Sequence, residues 1–291
     1  MFKKIILCFA ICFLLGINLC YGLDWKKLHE EADRKNLPDV LSAVQAKPNS
    51  VDDLYVLGLV YLNLHKDKEA EDAFNRVLTL APNTIEAKWG LAEVLRRQHN
   101  PDKSENILKD VMKSAPEFSP AYITLAYIRY IQMNFNEAVR LANKVLEQGR
   151  KRVDLSNYVR AYLLRGGVKG MIAHYGGALS KVINGTAVLP NLKSAEKLQP
   201  ESAGVKFGLG SFYLLAPSLA GGDLEEAQIY LKKAIEVDPL FTDAYVRLAQ
   251  LYKIKGDSQK YNEYIKKALE IDPKNELALD VSSGRCRFIC P

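Results

Sequence analysis

Between residues 51 and 84 the apolar and small side chains fall at Leu54, Leu57, Gly58 and Tyr61, then at Ala70, Phe74 and Val77. The first group is spaced i, i+3, i+4, i+7, which places it on one stripe of a helix. The second group forms a facing stripe on a second helix. Small residues at Gly58 and Ala70 let the two helices approach closely. Pro82 stops the second helix, because proline lacks an N–H and disfavours helical geometry in the residue before it. The pattern therefore predicts a pair of antiparallel helices.

The same pattern recurs. Pro48, Pro82, Pro116, Pro200, Pro239 and Pro273 are separated by 34, 34, 84, 39 and 34 residues. Numbering each unit so that its proline is position 32 makes the final one start at Thr242, with Tyr245, Leu248, Ala249, Tyr252, Ile265 and Ala268 on the two stripes; Tyr261 at position 20 is a misfit there, as Val77 at position 27 is in the first. Units starting at Ile85, Ser119, Lys169 and Ala203 follow the frame less perfectly. Lys88, Arg150, Gly185 and Pro190 are misfits, and the unit from Ala203 carries five extra residues around Gly221, Gly222 and Asp223. One such hairpin cannot bury both its faces, so successive hairpins must stack.

A 34-residue helix–turn–helix unit with a small residue at positions 8 and 20 and proline at 32 resembles the tetratricopeptide repeat (TPR) family. That resemblance implies an all-α fold, a TPR solenoid of antiparallel helix pairs forming a right-handed superhelix. The organisation expected is a capping helix pair at 23–50, three repeats at 51–152, an insertion at 153–168, three repeats at 169–275 and a C-terminal tail at 276–291. The Gly221-Gly222-Asp223 turn is similar to one in the small TPR components associated with TRAP-type solute transporters.

Residues 1–22 read as a secretory signal peptide. Lys3 and Lys4 supply a positive start, residues 5–15 are all apolar, and Cys20-Tyr21-Gly22 puts small residues around a cut after Gly22. An uncleaved membrane anchor is the alternative, although the apolar stretch is shorter than the roughly 20 residues needed to span. A lipidated Cys20 is a third reading, against which Leu19 is not small. Loss of the leader lowers the net charge from +6 to +4 and leaves Cys286 and Cys290 of the five cysteines. The mature chain is expected to be periplasmic or secreted, with no membrane span. Its charge shows no basic run that would point to nucleic acid.

No catalytic constellation stands out. His29, His65, His99 and His174 are isolated, with no second metal ligand at helical spacing, and no phosphate loop or nucleophile motif is present. We therefore expect no enzyme, no cofactor and no metal. The family resemblance places positions 2, 5, 9 and 12 of each first helix on a concave face. Its candidate binding residues are Tyr55, Leu59, Trp89, Glu93, Arg96, Tyr127 and Tyr130. Aromatic residues and arginine are enriched at binding hot spots, so a protein or peptide partner is expected there. These aromatics could equally pack against neighbouring repeats and the N-terminal cap. The alternative function is a periplasmic small-molecule-binding accessory protein of a transport system. It would use a pocket at Tyr162, Met171 and Tyr175, in and beyond the insertion. Cys286 and Cys290 can form a disulfide, since exported proteins favour paired cysteines and Cα atoms one helical turn apart are about 6 Å distant; pairing between chains and two free thiols are the alternatives.

Overall fold

The structure is a computed structural model that describes residues 23–290. The leader, anchor and lipidation readings at 1–22 lie outside these residues. All regular structure among the described residues is helical. The described residues divide into two compact units, 23–91 and 92–290, with the division inside one helix.

The first unit starts with α1 (Trp25–Ala32) and α2 (Leu37–Ala46), at the place expected for the cap. Asn36 accepts from the Asp39 N–H and Pro38 sits in the first turn of α2, a standard way to begin a helix. Helices α3 (Val51–Asn63) and α4 (Asp67–Leu80) form the first hairpin, and α5 (Ile85–Arg97) follows. Leu54, Leu57, Phe74 and Val77 are buried, as their stripe positions require. The Phe74 ring lies between two glycines. A Cβ placed on Gly58 would stand 2.5 Å from it, and one on Gly90 2.6 Å. Glycine at position 8 thus makes room for the large residue at position 24.

The second unit contains the rest of α5, then α6 (Pro101–Ser114), α7 (Ser119–Ile131) and α8 (Phe135–Gln148). Next come α9 (Leu155–Tyr175), α10 (Ala178–Gly185), α11 (Val188–Leu198), α12 (Ala203–Leu215) and α13 (Leu224–Val237). The last three are α14 (Thr242–Ile254), α15 (Ser258–Ile271) and α16 (Glu276–Ser282). Position 8 works here too, since a Cβ on Gly210 would sit 2.7 Å from Leu231 at position 24. The five extra residues form a short 3-10 turn at Ser218–Ala220. Gly221 follows at φ +94°, and Asp223 then caps α13 by accepting from the Glu225 and Glu226 N–H groups.

The stretch 153–168 is not a loop. It is most of α9, a 21-residue helix capped by Asp154. Gly166 on that helix lets α11 approach, because a Cβ there would be 3.2 Å from the Cβ of Asn191.

The turn inside each regular hairpin has a common geometry. Position 15 is His65, His99, Met133 or Gly256, and all four have φ between +56° and +77°. The next residue returns its N–H to the carbonyl five residues earlier, as in Lys66 to Tyr61 and Asp257 to Tyr252 at 2.9 Å each. This is a left-handed helix stop of the Schellman type.

Two substitutions test this account by urea unfolding. Gly58→Ala should cost about 2–3 kcal/mol, because the added methyl meets an aromatic ring fixed in a packed core. Gly256→Ala should cost about 1 kcal/mol, because a Cβ there meets nothing within 4 Å and only the left-handed backbone opposes it. Equal effects at the two sites would contradict the assignment of one to packing and the other to backbone.

Candidate functional site

In the first unit the inner stripe is covered by the chain itself. Tyr55 is 0% exposed and Trp89 3%, and Leu59 is also buried. Helix α1 lies over them. His29 Nε2 and the Tyr55 hydroxyl share a hydrogen bond of 2.8 Å, and the His29 ring stands 5.1 Å from that of Trp89. Trp25 meets the other side of His29 edge-on at 5.8 Å. These three stripe residues are therefore inside the fold rather than on an open wall.

In the second unit the stripe gathers charge. Glu93 is 4% exposed. Its carboxylate accepts from Arg96 at 2.7 and 3.1 Å, from Arg160 at 3.4 Å and from the Thr124 hydroxyl at 2.8 Å. Burial alone would raise its pKa. The Arg96 and Arg160 charges and the hydrogen bonds from Arg96 and Thr124 outweigh burial and hold it far below the usual carboxylate range. Arg96 also lies over the Tyr127 ring at 4.5 Å. Tyr127 and Tyr130 are neighbours at 6.2 Å between ring centres and are partly accessible. Burial pushes both phenols upward, that of Tyr130 to about 12.

The far side of this face is helix α14. Its stripe residues are Asp243, Val246 and Gln250, with Arg247 beside them. Arg247 is 4% exposed. Its Nη1 donates to Gln250 Oε1 at 2.7 Å and to the Ile289 carbonyl at 2.8 Å, and its Nη2 donates to the Phe288 carbonyl at 2.8 Å. The segment supplying those carbonyls is closed by a disulfide between Cys286 and Cys290, whose Cα atoms are 5.2 Å apart. Phe288 is buried, with its ring 5.5 Å from that of Tyr130. Tyr130 of the expected face thus meets a segment 158 residues later in the chain.

His99 was unremarkable in the sequence. In the fold its Nδ1 lies 2.9 Å from Glu276, and its Nε2 lies 3.0 and 3.1 Å from the two Asp272 oxygens. The hydrogen bonds to Asp272 and Glu276 raise its pKa to about 9 against the cost of burial. Nothing in sequence spacing could have found this, because the partners are 173 and 177 residues away.

The three residues of the alternative pocket lie in different surroundings. Met171 belongs to the apolar cluster of Val246, Ala249 and Phe288, whereas Tyr162 packs on the cluster of Val188 and Leu192. Tyr175 is exposed, stacks on Phe135 and donates to the Arg287 carbonyl at 2.8 Å. Among the described residues no group of three or more histidine, cysteine or acidic side chains could hold a metal ion. No helix among them is long and apolar enough to cross a membrane.

Two family models match successive parts of the chain. Residues 41–151 match the TPR domain of cytochrome c-type biogenesis protein H, and residues 166–286 match the TRAP transporter T-component. The human protein O-mannosyl-transferase TMTC3 is 25% identical over 276 residues, covering 81% of this chain and 29% of its own length. The chain thus spans less than a third of that relative. A Parabacteroides merdae tetratricopeptide repeat protein superposes with a TM-score of 0.50 at 16% identity, covering 90% of this chain and 98% of that one. A chain of the APC/C hetero-tetramer Cut9-Hcn1 gives 0.57 at 16% identity, covering 93% and 50%. Both structures share the fold.

The charged groups yield two expectations. Glu93→Gln should cost about 3 kcal/mol in urea unfolding, because it leaves Arg96 buried without its counter-ion; a loss near zero would mean that the pair is not needed. The raised pKa of His99 makes its stabilisation complete below the unfolded value of about 6.5 and lost as pH rises through about 9. Melting temperature followed between about pH 6 and pH 10 should therefore fall more steeply for the wild type than for His99→Gln. Superimposable profiles would exclude the His99 cluster as the cause.

Proposed function

The chain is a tetratricopeptide-repeat protein, and from that premise we propose that it is an exported, non-enzymatic scaffold that binds a protein or peptide partner. The partner would engage the inner face of the second unit, at Tyr127, Tyr130, Arg247 and Gln250. The observation carrying this reading is that Arg247, a buried guanidinium, donates to two successive main-chain carbonyls. Side chains that hydrogen-bond a backbone beside an aromatic wall are what a peptide-reading surface needs. Tyr127 and Tyr130 supply the wall and retain partial exposure.

A second reading is favoured by one observation, the match of residues 166–286 to the TRAP transporter T-component. In that case the chain would be an accessory of a solute transport system. The dispersal of Tyr162, Met171 and Tyr175 over separate clusters argues against those three as its ligand pocket.

Affinity capture from the envelope fraction with residues 23–291, followed by mass spectrometry, separates the readings. A transporter subunit among the captured proteins supports the second; partners from another system support a general scaffold. Tyr127→Ala with Tyr130→Ala should reduce capture at least about tenfold while the helical circular dichroism stays unchanged. Undiminished capture by the folded variant would remove this face as the binding site.

A further inference from the structure

We propose that the Cys286–Cys290 loop is an internal ligand of the second unit's inner face, and that the external ligand it excludes is a peptide presenting an aromatic residue followed by an apolar one. The inference rests on the peptide-binding reading above and names the chemistry of the ligand.

The first argument is Arg247. It is nearly fully buried, yet among the described residues no carboxylate comes within ion-pair distance of it. Burial lowers its pKa, and only the more distant Tyr130, Asp243 and Asp280 counter this. Its Nε is buried with no hydrogen-bond partner. A buried cation with no ion-pair partner is a poor choice for holding a core together. Its two Nη groups are nevertheless placed to grip consecutive carbonyls, those of Phe288 and Ile289, and the Gln250 amide reaches the second of these at 3.3 Å. That arrangement reads main chain, so it accepts any segment of suitable shape.

The second argument is the side chain beside those carbonyls. Phe288 is 1% exposed in one cluster with Met171, Val246 and Ala249, with Tyr130 packed against them. Ile289 packs on the same cluster. The face therefore selects an aromatic residue and an apolar neighbour.

The third argument is the conformation of the loop. Cys286 has φ +53° and Ile289 φ +63°. For a β-branched residue the left-handed region is a true outlier, and residues held there are strained. The loop is bent to suit the face. It is clasped from outside the face by Asp280, which accepts from the Phe288 N–H at 3.0 Å and from Arg287 at 3.3 Å. A free peptide of the same side-chain order would gain the Arg247 and aromatic contacts without this strain. A tethered competitor acts at an effective concentration of about millimolar, so the intact chain should bind such a peptide weakly.

The test uses the full chain and, as probe, a fluorescein-labelled linear peptide with the sequence of residues 284–290 in which both cysteines are replaced by serine. A variant carrying Phe288→Ala, Cys286→Ser and Cys290→Ser should bind the probe at least about tenfold more tightly than the wild type. A probe with its phenylalanine changed to alanine should lose at least about tenfold in affinity. Adding Arg247→Gln to the variant should weaken binding again. Hydrogen exchange gives a readout independent of these variants: saturating probe should speed exchange of the Phe288 amide in the wild-type chain. No gain in affinity by the folded variant, equal binding of the alanine probe, or unchanged Phe288 protection would each overturn the proposal. If the envelope partner is captured equally by the wild type and the variant, the internal-ligand proposal fails while the scaffold reading stands.

Discussion

A helix hairpin with apolar residues on both broad faces has to cover both. The face within the array is closed by size matching. Glycine at position 8 receives a large side chain at position 24, as Gly58 receives Phe74 and Gly210 receives Leu231. The inner stripe is covered only in part by the repeat's own second helix, where Tyr55 meets Phe74 and Tyr130 meets Phe135. Each unit meets that need with a segment from outside the repeat pattern. In the first it is α1, which sets His29 on Tyr55 and Trp89. In the second it is the disulfide loop, which sets Phe288 on Tyr130.

The buried cations of the second unit follow two different rules. Arg96 is matched by Glu93, which is also held by Thr124, so charge and hydrogen-bonding capacity are satisfied within the array. Removing either partner would strand the other, which makes the cluster structural. Arg247 has no such anion and relies on carbonyls from the loop. Neutral main-chain acceptors are interchangeable between one segment and another, whereas a dedicated carboxylate is not. The two sites lie on or beside the inner stripe of one unit, yet only the second is chemically open to exchange.

The repeat frame was legible because it is local. Helix pairs, the small residue at position 8 and the proline stop depend on residues within 34 positions of each other. The inner stripe was legible as a set of residues for the same reason, and Tyr127, Tyr130, Glu93 and Arg96 do lie in one unit. What covers the stripe was not legible. Nothing periodic links His29 to Tyr55, Phe288 to Tyr130 or His99 to Asp272. The left-handed turn at position 15 was half hidden, because Gly256 advertises it and His65, His99 and Met133 do not. The segment 153–168 stood out only as an insertion, because it breaks the 34-residue count. Its residues nevertheless continue into the next first helix, giving the single helix α9. The cysteine spacing allowed a bond on helical geometry, but the loop that carries it is not helical.

The two covers differ in how they are built, and that difference bears on function. Helix α1 is a capped helix, with Asp24 accepting from the Lys27 N–H. Its backbone has ordinary helical geometry, so docking places no residue of it in a strained conformation. Its side chains also fill the space between Tyr55 and Trp89, so removing it would expose two large aromatic residues at once. The disulfide loop holds two non-glycine residues at positive φ, so part of its docking energy is consumed by its own backbone. A cover that is strained when docked lowers the free energy needed to undock it by the amount of that strain. A third to a half of the positions in so short a loop then act against the contact that Arg247 and Tyr130 make. The first unit is thus closed by a segment with nothing to gain from leaving, and the second by one whose departure relieves its own conformation. Any peptide-binding surface of this chain is accordingly to be sought in the second unit, where the cover and the seat can part without unfolding a helix.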